Sequence, residues 1–281
     1  MIILDLSQVM IATLMAQLGN HTNAELDENL LRHMILNSIR ANKMKFSAEF
    51  GEMVIAADDR KFWRRDLYPY YKANRKKTRD ASELNWNVIF DSLNKIREEL
   101  KESFPYPVVQ VDSAEADDVI AVLTKHYNYD KILILSGDKD FQQLQRYPNV
   151  KQYSPVLKKY ITCRDPDMFL KEHIMRGDVG DGIPNFLSAD ATFVDGSRQK
   201  PLATKKVDAW LHANPVEFCN VEMLRNYKRN QQLVDFDFIP EDVEQNILAE
   251  YKAQSGKDRT KLFNYFISNK LKNLVETIND F

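Results

Sequence analysis

Apolar residues along this chain follow two spacings. Met1–Leu4, Met53–Ala57, Val108–Val111 and Lys131–Leu135 are short runs rich in Ile and Val, the pattern of strands buried on both faces. Between the first two, Leu30, Leu31, Met34, Ile35 and Ile39 recur at helical spacing. Trp86, Ile89, Phe90, Leu93, Ile96 and Leu100 do so before the third run, and Val119, Ile120, Val122 and Leu123 before the fourth. Strand and helix alternate, which predicts an α/β fold: a mostly parallel central sheet with helices on both faces. After about residue 165 the strand signal fades, and Glu244–Lys252 and Leu262–Ile278 are helical in pattern. The expected division is an α/β domain over 1–165 and a smaller helical domain over 166–281.

Composition narrows the class. No apolar run approaches the roughly 18 residues of a membrane span. The opening Met1-Ile2-Ile3-Leu4-Asp5 lacks the basic segment of a secretion signal, so a cytoplasmic protein is expected. Cys163 and Cys219 have neither CxxC spacing nor histidines at zinc spacing and read as reduced thiols. Net charge is −2, yet the stretch from Arg60 to Arg79 holds nine basic residues and one acid. Phe62, Trp63, Tyr68, Tyr70 and Tyr71 interleave with those bases, a mixture that suits a phosphate backbone and stacked bases.

The acids matter because of where they fall. Asp5 ends the first strand, and Asp58 and Asp59 end the second. Glu115, Asp117 and Asp118 open the helix after the third, and Asp138 and Asp140 follow the fourth. Parallel strands share one carboxyl edge, where ligands bind. Taken singly, each acid can be a helix cap; Asp112 and Glu115, for instance, have capping-box spacing. Four strand ends carrying acids together imply repulsion that needs cations. Oxygen ligands without His or Cys select Mg²⁺ or Mn²⁺.

Five segments in order resemble the motifs of the 5′ nuclease (flap endonuclease) family: strand-end Asp5, Tyr70-Tyr71-Lys72-Ala73-Asn74-Arg75, Glu115-Ala116-Asp117-Asp118, Ser136-Gly137-Asp138-Lys139-Asp140-Phe141 and Gly177-Asp178-Val179-Gly180-Asp181-Gly182-Ile183-Pro184. The resemblance implies a metal-dependent 5′-to-3′ nuclease that removes RNA primers in lagging-strand replication, leaving a 5′ phosphate and a 3′ hydroxyl. It implies one Mg²⁺ near Asp5, Asp58, Glu115 and Asp117 and a second near Asp138, Asp140, Asp178 and Asp181, with Asp118 at the margin of both and Mn²⁺ able to substitute. Asp59 has no motif counterpart.

Further residues carry over from the same likeness. Lys72 and Arg75 match the basic pair aimed at the scissile phosphate. Tyr71 matches an aromatic on which a terminal base stacks, although burial in the core asks for the same ring. Residues 60–100 correspond to an arch over the site, with Arg64, Arg65, Lys76 and Lys77 lining it. Gly177–Pro184 begins a helix–three-turn–helix element in the helical domain, where Gly182, Lys200 and Lys205 would meet duplex phosphates. The family's Gly-Ile-Gly hairpin is replaced by Phe193-Val194-Asp195-Gly196-Ser197-Arg198-Gln199-Lys200, which leaves a potassium ion there in doubt. Expected partners are DNA and RNA–DNA duplexes with a 5′ single-stranded end and a replisome single-stranded-DNA-binding protein, with the enzyme itself a monomer.

Three other classes compete on the residues. A PIN-type ribonuclease would be about half this length and lack Gly177–Pro184. A haloacid-dehalogenase-type phosphatase needs Asp-x-Asp where Asp5-Leu6-Ser7 stands. A non-catalytic DNA-junction-binding module has no use for the acids.

Overall fold

Strands β1 (Ile2–Asp5), β2 (Met53–Ala56), β3 (Val108–Val109) and β4 (Ile132–Leu135) are buried at every residue. That burial is why they read as unbroken apolar runs. The computed structural model describes residues 1–18, 27–82 and 84–281. β5 (Val150–Ser154) and β6 (Lys159–Ile161) complete a six-stranded sheet of order β3-β2-β1-β4-β5-β6, parallel except for β6. Neither β5 nor β6 was anticipated, because Val150-Lys151-Gln152-Tyr153-Ser154 carries too few apolar residues. The sheet buries Gln152 there, and its amide donates to the Ser136 and Asp138 carbonyls at 3.0 and 2.6 Å.

Helices α1 (Leu6–Leu18), α2 (Glu28–Phe50), the short α3 (Arg64–Leu67), α4 (Ala73–Asp80), α5 (Trp86–Ser103) and α6 (Ala116–His126) fill the connections. The Asp27 and Asn85 side chains cap α2 and α5 by accepting from backbone amides. After β6 the chain is helical: α7 (Pro166–Arg176), α8 (Thr204–Leu211), α9 (Pro215–Phe218), α10 (Val221–Val234), α11 (Glu241–Gln254), α12 (Leu262–Ser268) and α13 (Lys272–Val275).

One face of the sheet packs on α1, α2 and α5, and the opposite face on α6. A third core, including Leu170, Ile174, Phe186, Val207 and Tyr227, holds α7, α8 and α10 together. The rest of the chain returns to the sheet. Phe266, Leu274 and Phe281 enter the first core, and Phe236, Val243 and Ile247 the second. The residues after Val234 thus pack on the sheet, and the helical core itself spans about 170–234.

Candidate active site

Asp5 is the last residue of β1, and Asp58 stands just beyond β2. Glu115 and Asp117 begin α6 after β3, and Asp138 follows β4. From β1 the chain steps outward to β2 and β3, then crosses to β4 on the other side of β1. The loops diverge at that reversal and leave a crevice at the carboxyl edge. A turn from the helical part closes it. Gly177, at φ +68°, ends α7, and a Cβ there would lie 2.4 Å from the Ile183 carbonyl. Asp178 and Ile183 then exchange backbone hydrogen bonds of 2.8 and 2.7 Å, which holds Asp178 and Asp181 in a tight loop.

The acids are individually oriented. Asp5 accepts from the Gln8 amide at 3.0 Å and the Ser136 hydroxyl at 2.9 Å. Asp58 accepts from the Ala116 amide at the start of α6 at 2.8 Å and from the Ser7 hydroxyl. Asp138 accepts from the Asp140 amide at 3.0 Å.

Electrostatically they divide into two groups. Protein cations hold the first. Lys72 Nζ donates to Glu115 and lies 3.7 Å from Asp181. Arg75 pairs with Asp181 at 2.5 Å, Lys139 with Asp178 at 2.8 Å and Arg64 with Glu115 at 2.9 Å. Against burial, which would raise it, Lys72 and Arg64 keep the Glu115 carboxyl below the usual range. The second group lacks such partners. Burial, then the charges of Asp58 and Asp138, pushes Asp5 up to about 6. Burial and the Asp140 charge push Asp138 up to about 6. Asp117 is raised well above its ordinary value by burial, then by Asp138. Buried and half-buried carboxylates crowded together without an ion pair suit hard divalent cations.

One further cluster adjoins them. Asp140, His173 and Asp178 offer ligand atoms that all lie within 4.8 Å of one another.

The N-terminal, resolvase-like domain of 5′-3′ exonucleases matches residues 6–173 of this chain. The C-terminal domain of T4 RNase H matches residues 164–281. Ribonuclease H of Enterobacteria phage T4 is 36% identical, covering 99% of this chain and 95% of its own length.

The chain belongs to the 5′-3′ exonuclease family.

DNA polymerase I of Rhizobium leguminosarum is 31% identical over 44% of this chain and 12% of its own length. Among solved structures, the T5 D15 protein co-crystallised with metal ions superposes with a TM-score of 0.63 at 19% identity, over 90% of this chain and 97% of that one. A T5 D15 flap endonuclease pseudo-enzyme–product complex with DNA and metal ions gives 0.64 at 18%, over 90% and 98%. These two share the fold.

Within this 5′ nuclease, Asp5, Asp58, Glu115, Asp117, Asp138, Asp140, Asp178 and Asp181 come from segments that meet at the crevice. Asp118 does not join them as an available ligand. Arg64 pairs with one of its oxygens at 2.8 Å, while Trp63 Nε1 at 3.0 Å and the Glu115 amide at 2.9 Å donate to the other. It forms the capping box of α6 with Glu115, displacing the expected Asp112–Glu115 pair.

The structure corrects three nucleic-acid assignments. Tyr71 is 3% exposed, packs with Tyr68, Ile183 and Leu233, and donates to Glu115 and Asp181 at 3.0 Å, so no base can stack on it in this arrangement. Arg64 is buried against the acids and the Leu233 carbonyl rather than lining an arch. Gly182 is buried at φ +72°, and its amide already donates to the Val179 carbonyl at 3.2 Å, so it is not free for a duplex phosphate in this arrangement.

The remaining basic residues stay available to a ligand. Arg65 is exposed over the Phe62 ring, and Lys76 is exposed on α4. Lys200 and Lys205 are exposed on the helical part, Lys200 at 3.9 Å from Glu222. The Lys77 side chain lies outside the described residues. Arg64, which sequence reasoning placed on the arch, and Lys139 and His173, to which it gave no role, also build the site. Lys139 lies inside a motif between Asp138 and Asp140, and His173 lies five residues before Asp178 on the helix that delivers it.

Proposed function

We propose that this chain is a divalent-metal-dependent 5′ nuclease acting on DNA and RNA–DNA duplexes that carry a 5′ end or flap, and that its task is removal of RNA primers during replication. The likeness to T4 ribonuclease H along nearly the whole chain supports the substrate class. The observation that carries the chemistry is the set of crowded acids without an ion pair, buried Asp5 and half-buried Asp117 and Asp138, at the switch point.

Held by Asp5, Asp58, Glu115 and Asp117 and by Asp138, Asp140, Asp178 and Asp181, two Mg²⁺ ions (or Mn²⁺) would supply an activated water and charge neutralisation at the leaving oxygen. The chain's own residues do the rest. Ser136, Gln8, Ser7 and Ala116 fix the rotamers of Asp5 and Asp58. Lys72 and Arg75, paired with Glu115 and Asp181, stand ready to donate to a phosphate once cations relieve those acids. A donor of this kind is worth about 3 to 4 kcal/mol in the transition state.

Arg65, Arg79, Trp86, Phe90 and Arg97 line a cleft of about 980 Å³ that also contains Asp58 and Lys72. Basic and aromatic walls of this kind accept a single strand without reading its bases. The helical core over about 170–234, bearing Lys200 and Lys205, is the proposed duplex-binding part. A single-stranded-DNA-binding partner and a cytoplasmic site of action accord with this task. No helix among the described residues is long and apolar enough to cross a membrane.

The test is digestion of 5′-labelled and 3′-labelled flap, nicked and RNA–DNA substrates with and without Mg²⁺. Release of short 5′ products only with Mg²⁺ is expected. Cleavage that persists in EDTA, or that starts from 3′ ends, would overturn the proposal.

A further inference from the structure

His173 is the one imidazole within reach of the acid cluster among the described residues, and its surroundings differ from those of an ordinary core histidine. It sits near the C-terminus of α7 and is 5% exposed. Phe169, one turn earlier, stacks on the ring with centroids 5.8 Å apart. That contact turns the ring edge toward the acids. Nε2 lies 2.9 Å from Asp140 Oδ1 and 3.9 Å from Asp178 Oδ2.

His173 Nε2 and Asp140 Oδ1 are both buried and face each other at 2.9 Å, but the angle of approach is poor for a hydrogen bond. A buried ring nitrogen whose only close contact is poorly angled is under-satisfied. Ligand atoms converging without bonding to each other are what a cation between them requires. Metal–ligand bonds of about 2.1 Å put neighbouring donors roughly 3 Å apart and opposite donors roughly 4.2 Å apart. The 2.9 and 3.9 Å separations fall in that range.

We propose that His173, with Asp140 and Asp178, ligates one divalent cation of the nuclease site through Nε2. This rests on the metal-dependent reading above and deepens it. One metal position is then not made of oxygen alone. An imidazole nitrogen favours Mn²⁺, Co²⁺ or Zn²⁺ over Mg²⁺, so the site discriminates among metals at this position. Lys139, half exposed, now holds Asp178 Oδ2 at 2.8 Å. Its ammonium occupies that carboxylate until a cation takes it, and its long side chain can swing into solvent.

The competing account is a structural one, in which His173 merely ties α7 to the segment after β4 through Asp140. The two accounts separate on metal binding itself. Mn²⁺ should be titrated into the full-length protein and into His173→Gln at neutral pH, with bound and free ion counted by continuous-wave EPR. Nitrogen coordination is read by pulsed EPR. The parent should show ¹⁴N coupling to bound Mn²⁺, and His173→Gln should lose it. That variant should also weaken one Mn²⁺ by about 10- to 100-fold, with a smaller loss for Mg²⁺ by calorimetry.

Absence of ¹⁴N coupling in the parent, or its persistence in His173→Gln, would overturn the assignment. If the variant does not fold, the parent labelled with ¹⁵N-histidine decides instead: Zn²⁺ must shift the His173 Nε2 resonance, and an unmoved resonance refutes ligation. Mn²⁺ binding and cleavage without nitrogen coupling would remove this inference and leave the nuclease reading standing. Failure to bind any divalent ion would remove both.

Discussion

Arg64→Met should destabilise the protein severely while leaving its direct affinity for phosphate almost untouched. Arg64 is 2% exposed, and its guanidinium joins Glu115 at 2.9 Å, Asp118 at 2.8 Å and the Leu233 carbonyl at 2.8 Å. It also stacks over Trp63 at 4.4 Å. Met fills similar space but leaves two buried carboxylates without their shared cation. Removing one partner from a buried charge cluster costs about 3 to 5 kcal/mol. For a chain of this size that is a fall in Tm on the order of 10 °C.

Mg²⁺ should recover part of the loss, because a cation at Glu115 replaces some of the missing charge and binding to the folded state stabilises it. Arg64→Lys should fall between, keeping the charge but losing the planar fork. Thermal melts by circular dichroism, with EDTA and with Mg²⁺, give the stability. DNA affinity measured against salt gives the number of phosphate contacts. An Arg64→Met protein that melts within 2 °C of the parent but loses about 0.9 in log–log salt slope would refute burial of this residue and restore it to the nucleic-acid surface.

Lys72→Ala should lower the single-turnover cleavage rate by about 100- to 1000-fold with little change in substrate affinity; equal losses in both would place Lys72 in binding alone. Metal-free stability should depend on pH through Asp5 and Asp138, both pushed up to about 6. A raised acid favours the folded state below its unfolded value near 4 and loses that contribution as pH rises through 6. In EDTA these two groups should therefore lower the stability as pH rises from about 4 to 7, by roughly 2 to 3 kcal/mol each over the whole window, and Asp5→Asn should flatten the slope. A slope that Asp5→Asn leaves unchanged would contradict the assignment. A bulky block on the 5′ end of a flap should suppress cleavage while the same block on the 3′ end should not; equal cutting of both would mean the basic cleft clamps the strand from one side without threading it.

By itself the sequence determined the acid-rimmed sheet. β1, β2, β3 and β4 are continuous apolar runs because both their faces are covered, and an acid after each such run must lie at the shared carboxyl edge. Asp5, Asp58, Glu115, Asp117 and Asp138 were legible for that reason, and the 177–184 turn was legible from its resemblance to a family motif. What only the tertiary structure decided are the roles that depend on partners far along the chain. Arg64 belongs to the basic run by composition, yet it is buried by Glu115, Asp118 and a carbonyl 169 residues away. Tyr71 is in a motif, but Ile183 and Leu233 enclose its ring and Glu115 and Asp181 take its hydroxyl. The tail after Val234 is amphipathic like any surface helix, and only the sheet supplies the apolar faces that recruit Phe236, Phe266 and Phe281 back to it. His173 needed the fold most, because an isolated histidine becomes a candidate ligand only when α7 brings its ring edge to Asp140 and Asp178. Local periodicity reports whether a residue faces a core, whereas the sign and distance of the charges it meets there are set by long-range packing.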